Sequence, residues 1–285
     1  MPPVSAPSRR RAAVAPLDPL RFSPTRERPV RAKLRRLAPD TQIQPHSHAW
    51  AQVAISIAGV ARITAGRHTY LVPGWRAVWI PPGVEHVVTA LEAAELRTLY
   101  IHQEPDRPGP AVARRDCEPW RGCRVLEVSP LLRELVLQMD VTMDGQAPLG
   151  APALEREARL GELVLDELRR AAPLRLGIEL PQDRRLRALC EAVLQDPSRH
   201  ATLDGWAHET AASPRTVARL FRQQLDTSFG PWRQQVLLAH ALRLAAQGRP
   251  MGLIAADLGY ASPSAFSAMV RRAVGQPPSR FFAMR

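Results

Sequence analysis

The sequence has few cysteines, a single lysine and no long apolar run. Its three Cys, at 117, 123 and 190, are odd in number and fit no metal or redox spacing, which excludes a disulfide framework and implies reduced thiols in a cytosol. Nowhere do about 18 apolar residues follow one another, so no segment reads as membrane-spanning. Arg9, Arg10 and Arg11 are followed by no apolar stretch, which argues against a secretory leader. Of the 39 basic residues only Lys33 is a lysine, a skew from which no mechanism is read.

Positive charge is abundant but unevenly placed. The net charge of +12 divides into +8 for residues 1–36, −3 for 37–181 and +7 for 182–285. Basicity therefore sits at the two ends, as expected where only the ends meet phosphate. At 285 residues, two domains and a connecting segment fit comfortably.

The chain is organised around residues 202–274, where one helical unit is written twice. The first copy runs from Trp206 through Ser213-Pro214-Arg215-Thr216 to Arg222, and the second from Ile254 through Ser262-Pro263-Ser264-Ala265 to Arg272. A Ser hydroxyl accepts from unpaired N–H groups at a helix start, and Pro lacks the N–H that the first turn leaves unused. Both second helices are therefore sharply started. Val217, Leu220 and Phe221 in one, and Phe266, Met269 and Val270 in the other, recur at helical spacing and predict a buried face. The opposite face is left free. A short helix, a turn and a second capped helix make a helix-turn-helix, whose second helix enters the major groove of DNA. Residues 231–248 predict one helix of roughly 27 Å between the copies, comparable with the ~34 Å repeat of the duplex.

Residues 186–285 resemble the DNA-binding domain of the AraC/XylS family. The motifs that carry the resemblance are Ser213-Pro214-Arg215-Thr216, the stretch from Ile254-Ala255 to Gly259-Tyr260, Ser262-Pro263-Ser264-Ala265-Phe266, and Gly275-Gln276-Pro277-Pro278-Ser279-Arg280-Phe281. One departure is that Ala268 stands where the family usually has Arg, and Val270 where it has Phe. This implies that the first reading helix contributes more of the base contacts than the second.

Upstream, residues 1–28 are rich in Pro, Ala and Arg and predict a disordered basic tail. From Val30 to about Ile101 short apolar runs end at Gly59, Gly66, Pro73-Gly74 and Pro81-Pro82-Gly83, the pattern of a small antiparallel sandwich or barrel. Within it lie His46-Ser47-His48, Gln52 and His86. Two His at i and i+2 on a strand point to one face, and a later His can join them. This resembles the cupin fold, whose metal motif is His-x-His, a Glu four residues on and a later His. The candidate metal set is then His46, His48, Gln52 and His86. Gln52 replaces the Glu, and a neutral amide is a poorer ligand and no base. The same residues with Trp50 and Trp79 are expected to line a polar effector pocket, with Trp75 a further candidate. After residue 110 the pattern turns helical, with stripes at Leu131, Leu132, Leu135, Val136 and Met139, and from Leu154 to Leu168. In AraC-like proteins such helices often pair two chains, and packing on the barrel is the alternative.

The expected class is α+β multidomain. It comprises a basic tail (1–28), an N-terminal cupin-like β-barrel for effector binding (29–110), a helical linker and possible dimerisation segment (111–181), and a C-terminal all-α double helix-turn-helix (182–285). The resemblance implies a cytoplasmic transcription regulator, activator or repressor, that binds double-stranded operator DNA and answers to a small molecule. It implies no catalytic residue and no cofactor beyond the doubtful metal. Base contacts are expected from Arg215, Thr216, Arg219, Ser264, Ala265 and Ser267, with Arg the usual partner of guanine O6 and N7. Phosphate contacts are expected from Ser213, Arg222, Arg233, Ser262, Arg271 and Arg272. Two other readings stay open: a cupin metalloenzyme fused to a DNA-binding module, and an effector-independent regulator that uses its cupin for dimer contacts.

Overall fold

The computed structural model describes residues 12–72, 74, 76–104, 107–146, 149–174, 176–209 and 213–282. The strands in this range are β1 (Ala12–Val14), β2 (Val30–Leu37), β3 (Thr41–His46), β4 (Ala51–Ala58), β5 (Ala61–Ala65), β6 (His68–Val72), β7 (Arg76–Ile80), β8 (His86–Ala90), β9 (Ala94–Ile101), β10 (Arg124–Glu127), β11 (Pro173–Leu174) and β12 (Gly177–Glu179). They form two six-stranded sheets, in the orders β1-β3-β8-β5-β6-β12 and β11-β10-β7-β4-β9-β2. The pairing is antiparallel except between β1 and β3. Ile43, Ile63 and Val88 of the first sheet share one buried cluster with Ala54, Val78 and Leu96 of the second, so the sheets close face to face as a cupin-like barrel.

Gly59 makes the sharp link from β4 to β5. Its φ is +70°, and a Cβ there would stand 2.0 Å from the Ala93 carbonyl oxygen, so both conformation and space demand glycine.

The helices are α1 (Pro130–Gln138), α2 (Ala151–Arg170), α3 (Arg184–Gln195), α4 (Leu203–Glu209), α5 (Pro214–Leu225), α6 (Phe229–Ala246), α7 (Met251–Asp257), α8 (Pro263–Val274) and α9 (Pro278–Phe281). Ser129 caps α1 by accepting from the Leu132 N–H at 3.0 Å. Leu132, Leu135 and Val136 of α1 and Val164, Leu165 and Leu168 of α2 are buried with Ala32, Val53 and Leu99, on the outer face of the second sheet. The linker helices thus pack their stripes on their own barrel. That is why β4 reads as a nearly unbroken apolar run, both of its faces being covered, whereas β9 keeps an alternation at Glu95 and Arg97 before its buried end. Leu131 and Leu154, expected in the stripes, are instead exposed.

The sequence boundaries need two corrections. Residues 12–28 are not a featureless tail, since β1 pairs in register with β3 and Pro19–Phe22 forms a turn of 3-10 helix that buries Phe22. The barrel also does not end near residue 110. β10 and β11 extend the second sheet from β7, and β12 pairs with β6 of the first. Strands of two to four residues carry too little alternation to be read from sequence, and their pairing is decided by edges that earlier strands leave open.

The helical domain sits on this barrel. Leu237, Leu238 and Ala241 of α6 join the barrel core cluster, while Leu71 and Ile178 of the barrel join the cluster that holds Trp206, Phe221 and Trp232. Arg243 pairs with Glu92 at 2.9 Å, Arg76 donates to the Phe281 carbonyl at 3.2 Å, and Trp232 Nε1 donates to the Glu179 carbonyl at 2.8 Å.

Candidate nucleic-acid interface and barrel site

Both reading helices start as their Ser-Pro pairs dictate. Ser213 Oγ accepts from the Thr216 N–H at 3.1 Å, and Ser262 Oγ accepts from the Ala265 N–H at 3.2 Å. Val217, Phe221 and Leu225 of α5 are buried, with the Phe221 ring edge-on to Phe229 and Trp232 at 5.7 Å each. Phe266, Met269 and Val270 form the inner face of α8.

The outer faces are free. Arg215, Thr216, Arg219 and Arg222 are exposed, as are Ser264, Ala265, Arg271 and Arg272, with Ser267 half-buried. Arg219 Nη1 donates to Gln223 Oε1 at 2.8 Å, which holds the guanidinium along the outward face. Gln223 escaped the sequence reading, although its i+4 spacing from Arg219 could have shown it. Thr216 Oγ1 lies 2.8 Å from Ser213 Oγ, so both hydroxyls already serve the helix start. The N-terminus of α3 adds Arg184 and Arg185, which with Thr216 and Arg219 line a cleft of ≈ 460 Å³ beside α5.

Arg233 is a correction. It is half-buried and donates from Nε at 3.1 Å and Nη2 at 2.7 Å to the Pro197 carbonyl, bracing α6 against the end of α3 rather than meeting phosphate. His240 is likewise buried, and its Nε2 bonds the Leu194 carbonyl at 2.8 Å. Desolvation pushes its pKa down to about 4.

The barrel site gathers at the ends of β3, β4, β8 and β9. His46 pairs directly with His86 across strands, with ring centroids 4.3 Å apart, and Gln52 pairs with Tyr100. His48 lies 5.3 Å from His86, stacks on Trp50 at 5.4 Å and meets Tyr100 edge-on at 5.0 Å. Each imidazole bonds a backbone carbonyl through Nδ1: His46 to Gln44, His48 to Trp50 and His86 to Val84. A carbonyl can only accept, so in the neutral rings of His46 and His86 Nδ1 carries the proton and Nε2 is left as a lone pair, whereas His48 faces an oxygen at each nitrogen, the Trp50 carbonyl and Gln52 Oε1. Burial keeps the rings neutral: it lowers the pKa of His46 and His48 and takes His86 down to about 3. His86 Nε2 is buried without a hydrogen-bond partner, as are Trp50 Nε1 and Arg35 Nη1.

Two residues join this site that the sequence reading missed. Lys33 is buried and donates from Nζ to Tyr100 Oη. Desolvation lowers its pKa to about 8 and raises that of Tyr100. Its rarity was visible as the chain's one lysine, but its inward direction was not.

Trp79 does not belong here. It pairs with Val53 on β4, one residue off the register of Gln52, so its side chain takes the opposite face of the sheet. There its Nε1 donates to the Trp120 carbonyl at 2.9 Å, beneath α1 and α2. Trp75 lies outside the described residues. The metal set fits poorly as well. His48 Nε2 lies 2.9 Å from the Gln52 amide, and among the described residues no group of three His, Cys, Asp or Glu stands where it could hold an ion.

A barrel with an interior polar cluster, joined to paired capped helices that turn arginine outward, defines a DNA-binding regulator with a ligand-binding domain. The sequence pattern of an AraC-like ligand binding domain matches residues 31–168, and that of a helix-turn-helix domain matches residues 206–284. The HTH-type transcriptional regulator NimR of Escherichia coli K12 is 33% identical over 84% of this chain and 81% of its own. The chain belongs to the AraC family of HTH-type transcriptional regulators. The arabinose operon regulatory protein of Salmonella typhimurium is 29% identical over 41% of this chain and 42% of its own. Unsaturated fatty acid bound ToxT of Vibrio cholerae aligns over 90% of this chain and 95% of that one. At 12% identity and a TM-score of 0.35, that likeness is too distant to support a conclusion.

Proposed function

We propose that this regulator binds operator DNA through α5 and α8, and that a small molecule held near His46, His48, His86 and Trp50 adjusts that binding. The observation that carries the reading is the seating of α6. The helix that separates the two reading units is itself packed on the barrel, through Leu237, Leu238 and the Arg243–Glu92 pair. A change in the barrel therefore reaches the spacing of the readers, and coupling between ligand and operator is reciprocal.

In this reading Arg215 and Arg219 contact bases, with Thr216, Ser264, Ala265 and Ser267 beside them. Ser213, Arg222, Ser262, Arg271 and Arg272 hold phosphate. Arg219→Ala is expected to weaken operator binding by about 5- to 150-fold while sparing random DNA. Arg271→Ala is expected to weaken both alike and to lower the salt slope by about 0.9. Gel-shift titrations on operator and random duplex separate the two roles. Equal losses for Arg219→Ala on both duplexes would remove it from base reading.

No catalytic step belongs to this reading, and no metal. Elemental analysis of purified protein is expected to find well under one metal per chain, and a chelator to leave operator affinity unchanged. One firmly bound metal per chain would instead favour a cupin metalloenzyme fused to a DNA-binding module.

A further inference from the structure

The barrel site carries a charge imbalance that its three neutral imidazoles do not explain. Lys33 is 6% exposed, and its one hydrogen bond runs to a neutral phenol. Among the described residues the charge that acts on it is Arg35, another cation. The two stand at i and i+2 on β2 and so point to one face. Arg35 spends Nη2 on the Ala15 carbonyl at 2.9 Å and leaves Nη1 buried with no partner. A buried charge without a counter-ion is costly, and an anion entering from outside would offset that cost.

The remaining unpaired atoms refine the partner. Trp50 Nε1 is a further unused donor, suited to an acceptor oxygen, whereas His86 Nε2 is an unused acceptor. Trp50 and Tyr100, with ring centroids 5.5 Å apart, supply aromatic surface beside them.

We propose that the barrel takes a small organic acid, its carboxylate set against Lys33 and Arg35 and an O–H or N–H of the same molecule donated to His86. This rests on the proposed function, which makes the barrel the sensing site. The donors fix the sign of the ligand's charge, and the imidazole acceptors require that it also carry a hydrogen.

The test sets hydroxy acids against their amides on the full-length protein: salicylate with salicylamide, 4-hydroxybenzoate with 4-hydroxybenzamide, mandelate with mandelamide, and lactate with lactamide. Calorimetry is expected to show at least one acid binding tenfold or more tighter than its amide. Lys33→Met should abolish that preference, and Lys33→Arg should retain it. In the absence of ligand, Lys33→Met is expected to raise Tm, because an uncompensated buried charge is gone, so a folding defect in that variant counts against the proposal. The proposal is overturned if amides bind as well as acids, if no acid of the panel binds, or if Lys33→Met keeps the preference. Gel shifts with the bound compound separate the two readings. An acid that binds through Lys33 but leaves operator affinity unmoved rejects the sensor and keeps the anion site. An amide that binds and moves operator affinity rejects the anion site and keeps the sensor.

Discussion

Trp232→Ala is expected to cost about 3–5 kcal/mol, the usual range for removing a large buried aromatic side chain. Trp232 is 2% exposed at the start of α6 and lies among Phe221, Val236 and the barrel residues Leu71 and Ile178. Three things go with the ring. The cavity it leaves has walls on two domains, the edge-on contact with Phe221 is lost, and the Glu179 carbonyl loses its donor. Because Phe221 anchors the inner face of α5, the loss also loosens the helix that carries Arg215 and Arg219. Urea unfolding followed by circular dichroism measures the stability change, and operator affinity should fall in the same variant. Trp232→Phe keeps most of the volume and is expected to lose less than half as much. A cost below about 1 kcal/mol for the Ala variant would mean that α6 is not seated as described.

Acid is expected to destabilise the fold well before carboxylates titrate. His86 and His240 have folded pKa values of about 3 and about 4, depressed from 6.5 by burial. The sign follows from which state binds the proton. Between pH 6.5 and the folded value, the unfolded chain takes up a proton that the folded chain refuses, so stability falls as pH falls. The stability present above pH 6.5 is lost progressively and fully spent near pH 3 for His86 and pH 4 for His240. At pH 5 each contributes a loss of about 2 kcal/mol. His46 and His48, also depressed, act in the same direction. Tm measured from pH 7.5 to 4.5 should therefore drop steeply below about 6.5. His240→Gln retains a donor for the Leu194 carbonyl without a titrating ring, and should flatten the profile. An unchanged slope in both His240→Gln and His86→Asn would mean that neither ring is buried neutral.

The DNA-reading half was the more legible part of the chain. Ser213-Pro214 and Ser262-Pro263 fix helix starts by local chemistry, since the cap bonds reach only three residues along. Once a start is fixed, the 3.6-residue period assigns Val217 and Phe221 inward and Arg215 and Arg219 outward, as the burial pattern has it. The His-x-His spacing marked His46 and His48, but His48 lies just past the end of β3, and His86 joins them through the pairing of β3 with β8, which spacing along the chain does not fix. The errors share a cause. Residue type suggests a surface role for Arg233 and a pocket role for Trp79, while their directions depend on a second element that sequence does not locate: the end of α3 for Arg233 and the helix layer for Trp79.

What the sequence determined alone was everything set within about one helical turn or one strand: the doubled capped helices, the apolar alternation of the barrel and the surplus of charge at the ends. The tertiary structure decided the rest. It recruited β10 to β12 to open sheet edges, laid α1 and α2 on the barrel, seated α6 there, and turned Lys33 inward beside Tyr100 with no acid among the described residues to meet it. The physical reason is range. Caps and periodicity act between near neighbours along the chain, whereas burial and the cost of an unpaired charge depend on which distant segments close over a residue, and that is defined only once the whole chain has packed.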